Sequence, residues 1–321
     1  MVSYIIRRLL QGIIVLLGVS FISFVIFQFV GDPTLALAGK YATQEQIQEV
    51  RESLRLDKPF YVQYLIFIKN AVQGNFGNSY IQEMPALDLI LAKFPATAEL
   101  ATVAILISGG LGISLGVLVS LNRDSGLSRM VMAGSLFGIS VPTFLIGTLL
   151  IMVFAVYLRC LPPMGRGETI KLGFWKTGFL TLSGWRHIIL PAFTLGMYSL
   201  AVLIRLTRSE MVEILGKDYI RTAWAKGLSS RFVIFKHALR NGLIPVVTMM
   251  GMQFGQLIAF SIITETIFQW PGMGRLLLRS IYNNDRPIIV TYIMLAATVI
   301  LTLNIIVDIM YAFLNPKIRY G

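Results

Sequence analysis

Six apolar runs dominate the chain, each long enough to cross a hydrocarbon core, which takes roughly 20 residues per helix. They cover 9–30, 100–121, 130–158, 188–206, 243–264 and 288–313. The third and sixth are long enough to tilt or to begin outside the bilayer. Pro142 in the third, Pro191 in the fourth and Pro245 at the start of the fifth predict helix irregularities. The first run follows Arg7 and Arg8 as a signal peptide would, but it is too long for an h-region and no small-residue cleavage site follows. It reads as a retained span.

Polar stretches predict the rest. Residues 42–56 read as an amphipathic helix with Thr43 as cap and Gln46 three later, a capping box. Asp57 and Pro59 mark a turn, and 74–79 a loop. Trp270, Pro271 and Gly272 read as a turn before a short amphipathic helix at 274–282. Between the fourth and fifth runs lies a basic connection, 205–242, far longer than a corner requires. Within it Asp218 reads as the cap of a helix that Gly227 ends. Tyr219, Ile220, Ala223 and Trp224 share one face, with Arg221, Thr222, Ala225 and Lys226 on others. Ala223 and Gly227 are small, which permits close approach by a partner. A second helix over 231–241 runs into the fifth span. Such a pair suits a docking surface, and a helix lying on anionic lipid is the alternative.

Composition fits this pattern. The 321 residues are 55% hydrophobic and 14% charged, with mean hydropathy +0.72. Soluble domains carry about 25% charged residues. Long apolar runs, unlike short alternating ones, also exclude a β-barrel. With the N-terminus inside, the inner segments are 1–8, 122–129, 205–242 and 314–321, and the outer ones 31–98, 159–186 and 265–287. The two sets hold equal numbers of Lys and Arg, but the inner set packs them into about half the length. Density, and the discount the positive-inside rule applies to long loops, favour N-in, C-in. A net charge of +12 suits anionic lipid headgroups. No interleaving of basic and aromatic residues suggests nucleic acid.

Catalytic chemistry is missing from the pattern. The pairs Gly39, Lys40 and Gly216, Lys217 are followed by Tyr41 and Asp218, so neither is a P-loop. His187 and His237 stand far apart without an HExxH, and the single Cys160 can form no internal disulfide. The chain reads as no enzyme, with no metal and no cofactor. Glu99, Glu265 and Asp308 lie near span ends, where interfacial exposure explains them as well as function does. That lowers the class of ion-coupled carriers, which place an ionisable group mid-span.

Three spans carry small-residue pairs four apart, Gly112 with Gly116, Gly134 with Gly138 and Gly251 with Gly255, which permit close helix packing. Ser140, Thr143, Gln253, Gln256, Ser261 and Asn304 are polar positions within spans. Gln253, Gln256 and Phe260 on one face, with Ser140 and Thr143, could line a translocation path. Interhelical hydrogen bonding is the equal alternative.

The segment DYIRTAWAKGLSSRFVIFKHALRNGLIPVV resembles the cytoplasmic coupling loop of ABC importer permeases, more narrowly of the dipeptide/oligopeptide/nickel permease family. The strings IIRRLL, LDKPFYVQY, GNFGNS, ILPAFTLG, TETIFQWPGMGRLL and NPKIR are similar to that family's first-permease type and together span nearly the whole chain. The general Glu-Ala-Ala opening is replaced by Arg221, Thr222 and Ala223, and its later proline falls on Arg240. Asn75 stands where Asp is common. The resemblance implies an all-α integral membrane protein with six transmembrane helices and type I ABC importer permease architecture. It would divide into 1–98, a first helix with a scoop-like outer region, a core 99–313, and an inner tail 314–321. It would sit in a bacterial inner membrane as half of a translocation pathway. Its partners would be a second permease, two ATPase subunits carrying ATP and Mg, an extracytoplasmic binding protein, and membrane lipid. ATPase coupling would fall on Asp218, Tyr219, Arg221, Thr222, Ala223, Lys226, Gly227 and Leu228. Binding-protein docking would fall on Asp57, Pro59, Tyr64, Gly74, Gly77 and Ser79. Di- or oligopeptides are the implied cargo, with nickel chelates, glutathione and opines as alternatives. An ion-coupled carrier and a membrane scaffold are readings of other classes.

Overall fold

The structure, a computed structural model, describes residues 2–29, 43–53 and 58–314. Its elements are α1 (Val2–Phe29), α2 (Gln44–Ser53), α3 (Phe60–Val72), α4 (Ala86–Leu121), α5 (Gly126–Ser140) and α6 (Thr143–Leu150). A hairpin of β1 (Ile170–Leu172) and β2 (Trp175–Thr177) follows. Then come α7 (Leu182–Leu215), α8 (Asp218–Ala225), α9 (Ser230–Phe232), α10 (Arg240–Ala259), α11 (Ile262–Ile267), α12 (Met273–Tyr282) and α13 (Arg286–Leu314). π-helical stretches, Ile151–Tyr157 and Val233–Leu239, extend α6 and join α9 to α10.

Among the described residues, five helices are long and apolar enough to cross a membrane: Ile6–Ile26, Ala86–Leu121, Leu182–Leu215, Ser230–Ala259 and Arg286–Tyr311. The pair Gly126–Ser140 and Thr143–Tyr157 passes the same test only when taken together, bent by 111°, and makes a sixth if it is counted as one span. The bend falls where Pro142 predicts it. Val141, before the proline, takes an extended ψ of 129°. Pro142 then begins α6 with no N–H to give. Pro191 does not interrupt α7, which runs unbroken through it, as neighbouring helices allow in a membrane bundle.

α4 and α7 are the parallel central pair. Both are far longer than a span requires, α4 with 36 residues and α7 with 34 residues. Each reaches about 50 Å, against about 30 Å for a hydrocarbon core. Their seam depends on small residues. A Cβ at Gly112 would stand 2.7 Å from Leu203 Cβ, and one at Gly116 2.5 Å from Thr207 Cβ. Gly251 similarly admits Val307 of α13, while Gly134 meets nothing within 4 Å. Residues 112–116 read Gly-x-Ser-x-Gly, but they lie inside α4 and not at a strand-to-helix turn, so they form no nucleophile elbow.

Two of the buried carboxylates that hold the outer connections are Glu99 and Glu265. Glu99, 2% exposed, pairs with Arg166 at 2.6 Å and accepts from Trp175 Nε1 at 3.1 Å and from the Gly178 N–H at 3.3 Å. This fixes the β-hairpin, which the all-α expectation lacks. Glu265 accepts from Thr97 Oγ1 at 2.6 Å, Ser261 Oγ at 2.8 Å and the Arg275 N–H at 2.9 Å. Its carboxylate therefore serves the orphan donors opening α12. Burial pushes its pKa up, against the pull of these donors. Both carboxylates are buried structural anchors, in place of the interfacial exposure expected of them. At the other end Asp308 pairs with Arg8 at 3.1 Å, clamping α13 to α1.

Candidate functional site

The basic connection becomes two helices and a turn. α8 opens after Lys217, which takes the cap position without a side-chain bond. The expected cap Asp218 is instead the first helical residue. Its carboxylate lies 3.5 Å from Arg221, an exposed pair worth little. The end of α8 follows expectation. Gly227 sits at φ +73°, its N–H donating to Trp224 O at 2.9 Å, and the Leu228 N–H reaches Ala223 O at 3.4 Å. This is the Schellman closure, for which glycine is suited because it has no Cβ.

The two sides of α8 differ sharply. Ile220 is fully buried and Ala223 7% exposed, packed with Val117 of α4, Met211 and Ile214 of α7, and Val233 and Ala238 of the π-helical stretch. Leu228 closes over the same cluster. The small side chain of Ala223 therefore admits no partner, because the protein's own inner core fills the space. The outward side presents Tyr219, Trp224, Asp218, Arg221, Thr222, Lys226 and Gly227. Tyr219 is held from behind by Asn241 Nδ2, 3.3 Å from its hydroxyl. α8 is thus keyed at once to α4, α7 and the helix leading into α10, and displacing it must move all three.

The polar positions of the spans separate. Gln253 is 6% exposed, its Oε1 accepting from Ser199 Oγ of α7 at 3.3 Å, so it bonds helix to helix. Gln256, three residues on, is exposed with Phe260. The shared face therefore does not hold: three residues turn a helix short of a full circle, and the two side chains straddle the edge of the bundle. Ser140 is exposed and Thr143 half-buried, on either side of the 111° bend.

Most of the outer positions expected to meet a binding protein are engaged within the chain. Tyr64 hydrogen-bonds Ser20 at 2.9 Å and stacks edge-on to Phe21 with centroids 5.4 Å apart, fastening α3 along α1. Ser79 is buried and donates from Oγ to Asp285, whose other oxygen accepts from the Tyr80 N–H at 3.1 Å. Burial pushes the pKa of the neighbouring Tyr80 hydroxyl up to about 12. Gly74 and Gly77, at φ +74° and +86°, shape the loop. Asn75 Oδ1 accepts from the Gly77 N–H at 3.1 Å, so the local cap survives without an aspartate. Pro59 starts α3. Asp57 and residues 315–319 lie outside the described residues. The capping box forms in both directions. The Thr43 N–H donates to Gln46 Oε1 at 2.9 Å, and the Gln46 N–H to Thr43 Oγ1 at 3.3 Å. No group of three or more His, Cys, Asp or Glu able to hold a metal occurs among the described residues.

Comparison with known proteins covers the whole length. Residues 112–320 match the family described as "Binding-protein-dependent transport system inner membrane component", and residues 1–101 match "Binding-prot-dependent transport system membrane comp, N-term". The di/tripeptide transport system permease protein DppB of Pseudomonas aeruginosa (strain UCBPP-PA14) is 42% identical over 334 residues, covering 100% of this chain and 99% of its own. The glutathione transport system permease protein GsiC of Escherichia coli (strain K12) is 41% identical over 321 residues, with both chains covered in full. Among solved structures, a chain from an inward-facing crystal form of the MetNI methionine ABC transporter superposes with TM-score 0.56. It is 16% identical and covers 71% of this chain and 96% of its own, a likeness of fold alone.

Proposed function

Because the chain belongs to the family of binding-protein-dependent transport system inner membrane components, and is a multi-pass ABC importer permease without catalytic residues of its own, we propose that it carries di- and tripeptides or a related small peptide such as glutathione. Full-length identity above 40% to a di/tripeptide permease and a glutathione permease supports this cargo. ATPase and binding-protein partners follow from membership of such a system. A second permease would complete the pathway, and the N-in, C-in orientation would put α8 on the ATPase side.

The observation that carries the mechanism is the two-sided α8. Its inner side is locked to the ends of α4, α7 and the α9–α10 unit, and its outer side offers two aromatic rings beside Arg221 and Lys226. Aromatic and Arg anchors around a buried contact are the usual carriers of interface energy. Closure of an ATPase pair would push on α8, and the rigid seams would pass that displacement into the spans. The test is uptake by proteoliposomes holding the full importer with its binding protein, supplied with a labelled dipeptide, tripeptide or glutathione. ATP-dependent accumulation of at least one is expected. Accumulation of none of the three would overturn the cargo, and gradient-driven uptake by this chain alone would overturn the class.

A further inference from the structure

In the N-in orientation the two shorter outer connections, 159–186 and 265–287, carry eight Lys and Arg between them, and these cations need a local reason. Arg166 has Glu99, and Arg275 donates to Gln269 O at 2.8 Å. Arg159 and Arg186 have no hydrogen-bond or ion-pair partner among the described residues, and they line one cavity of about 410 Å³. His187 and Ser183 complete its polar wall, and Pro162 and Leu182 its apolar one; among the described residues no acidic side chain lines it. The site is built, not incidental. Arg159 is held at φ +52°, which a bulky residue rarely adopts. A turn holds it there, in which the Cys160 and Leu161 N–H groups both donate to Phe154 O, at 3.0 Å and 3.3 Å. His187 Nδ1 lies 2.7 Å from Ser183 O, which fixes the ring.

Position identifies the ligand. The cavity opens between Tyr157, the last residue of the bent span, and Leu182, the first of the next. Leu182 lines it, and Tyr157 and Leu158, the two residues directly before Arg159, are exposed, an aromatic and aliphatic margin of the kind found at headgroup depth. We propose that this cavity is a phospholipid site, in which Arg159 and Arg186 take the phosphate of an anionic lipid whose acyl chains run along Leu158 and Leu182. A free inorganic anion would share the phosphate contact but would leave the apolar rim unused.

The test counts phosphatidylglycerol retained by the intact importer in native mass spectrometry after titration with phosphatidylglycerol or phosphatidylcholine. Arg159→Gln with Arg186→Gln is compared with Lys171→Gln and Lys176→Gln, which remove equal charge from the same outer segment beyond the cavity. The cavity variant should bind phosphatidylglycerol roughly 30-fold more weakly, with the lysine variant unchanged. If the double variant fails to assemble, Arg186→Gln alone should give roughly a fivefold loss. The proposal falls if both variants weaken alike, if neither does, or if millimolar inorganic phosphate displaces the lipid at the same site. It falls too if the cavity variant keeps its lipid but loses stimulation by the binding protein, which would make the arginines a protein-docking pair.

Discussion

At Gly227 the requirement is set by the backbone. A Cβ there would meet nothing within 4 Å, yet φ is +73°. Left-handed geometry costs an L-residue roughly 1–2 kcal/mol, least for Asn. Gly227→Val should therefore loosen the end of α8 and sharply cut coupled ATP hydrolysis, while Gly227→Asn keeps most of it. ATPase rate of the reconstituted complex with and without binding protein reads both. Equal rates in the two variants would show that the conformation is not what matters there. Gly227 as terminator, the capping box at Thr43 and Gln46, and the break at Pro142 are all legible in the sequence, because each rule is local. The role of Ala223 is not. Whether a small residue on a helix faces a partner or the protein's own core depends on Val117, Met211 and Val233, which lie far off in the chain or on another element. The burial of Glu99 and Glu265 escapes the sequence for the same reason: their donors include Thr97, Trp175 and Arg275, and no spacing rule joins such distant positions.

Among the elements, the α4–α7 seam bears most of the mechanical demand. Gly112 and Gly116 are filled by Leu203 and Thr207, so the pair is packing and not pore lining. Gly116→Leu must push the Thr207 side chain and the Ile204 carbonyl aside, the latter 2.9 Å from the added Cβ. Overpacking of this kind costs roughly 1–3 kcal/mol. A lower melting temperature of the purified complex is expected, with α8 displaced enough to reduce ATPase retention. Gly134→Leu, where nothing lies within 4 Å, should leave melting unchanged. The hydrophobic runs locate every span, but the true lengths of α4 and α7 exceed them. Both helices continue past the runs into stretches broken by charges, Asp88 and Lys93 in α4 and Arg208, Glu210 and Glu213 in α7, that tertiary contacts, such as those of Glu99 and Ile214, keep helical. The small β-hairpin has no apolar alternation to announce it; it exists because Gly173 turns the chain and Glu99 holds Trp175.

For the molecule as a whole, the proposed coupling runs from a cytoplasmic contact to the membrane spans through one short helix packed on the ends of three elements. The outer face is equally fastened, by Glu99, Glu265 and the bond of Ser79 to Asp285, so the bundle has few independent parts to absorb a push. The most direct test is a paired measurement on a Tyr219→Glu, Trp224→Glu variant, which changes only side chains on the outward side of α8. ATPase co-purification and ATP-dependent dipeptide uptake should both be lost, while membrane insertion and melting temperature stay at the unmodified level. Retained co-purification with normal uptake would contradict the claim that ATP energy enters through this helix.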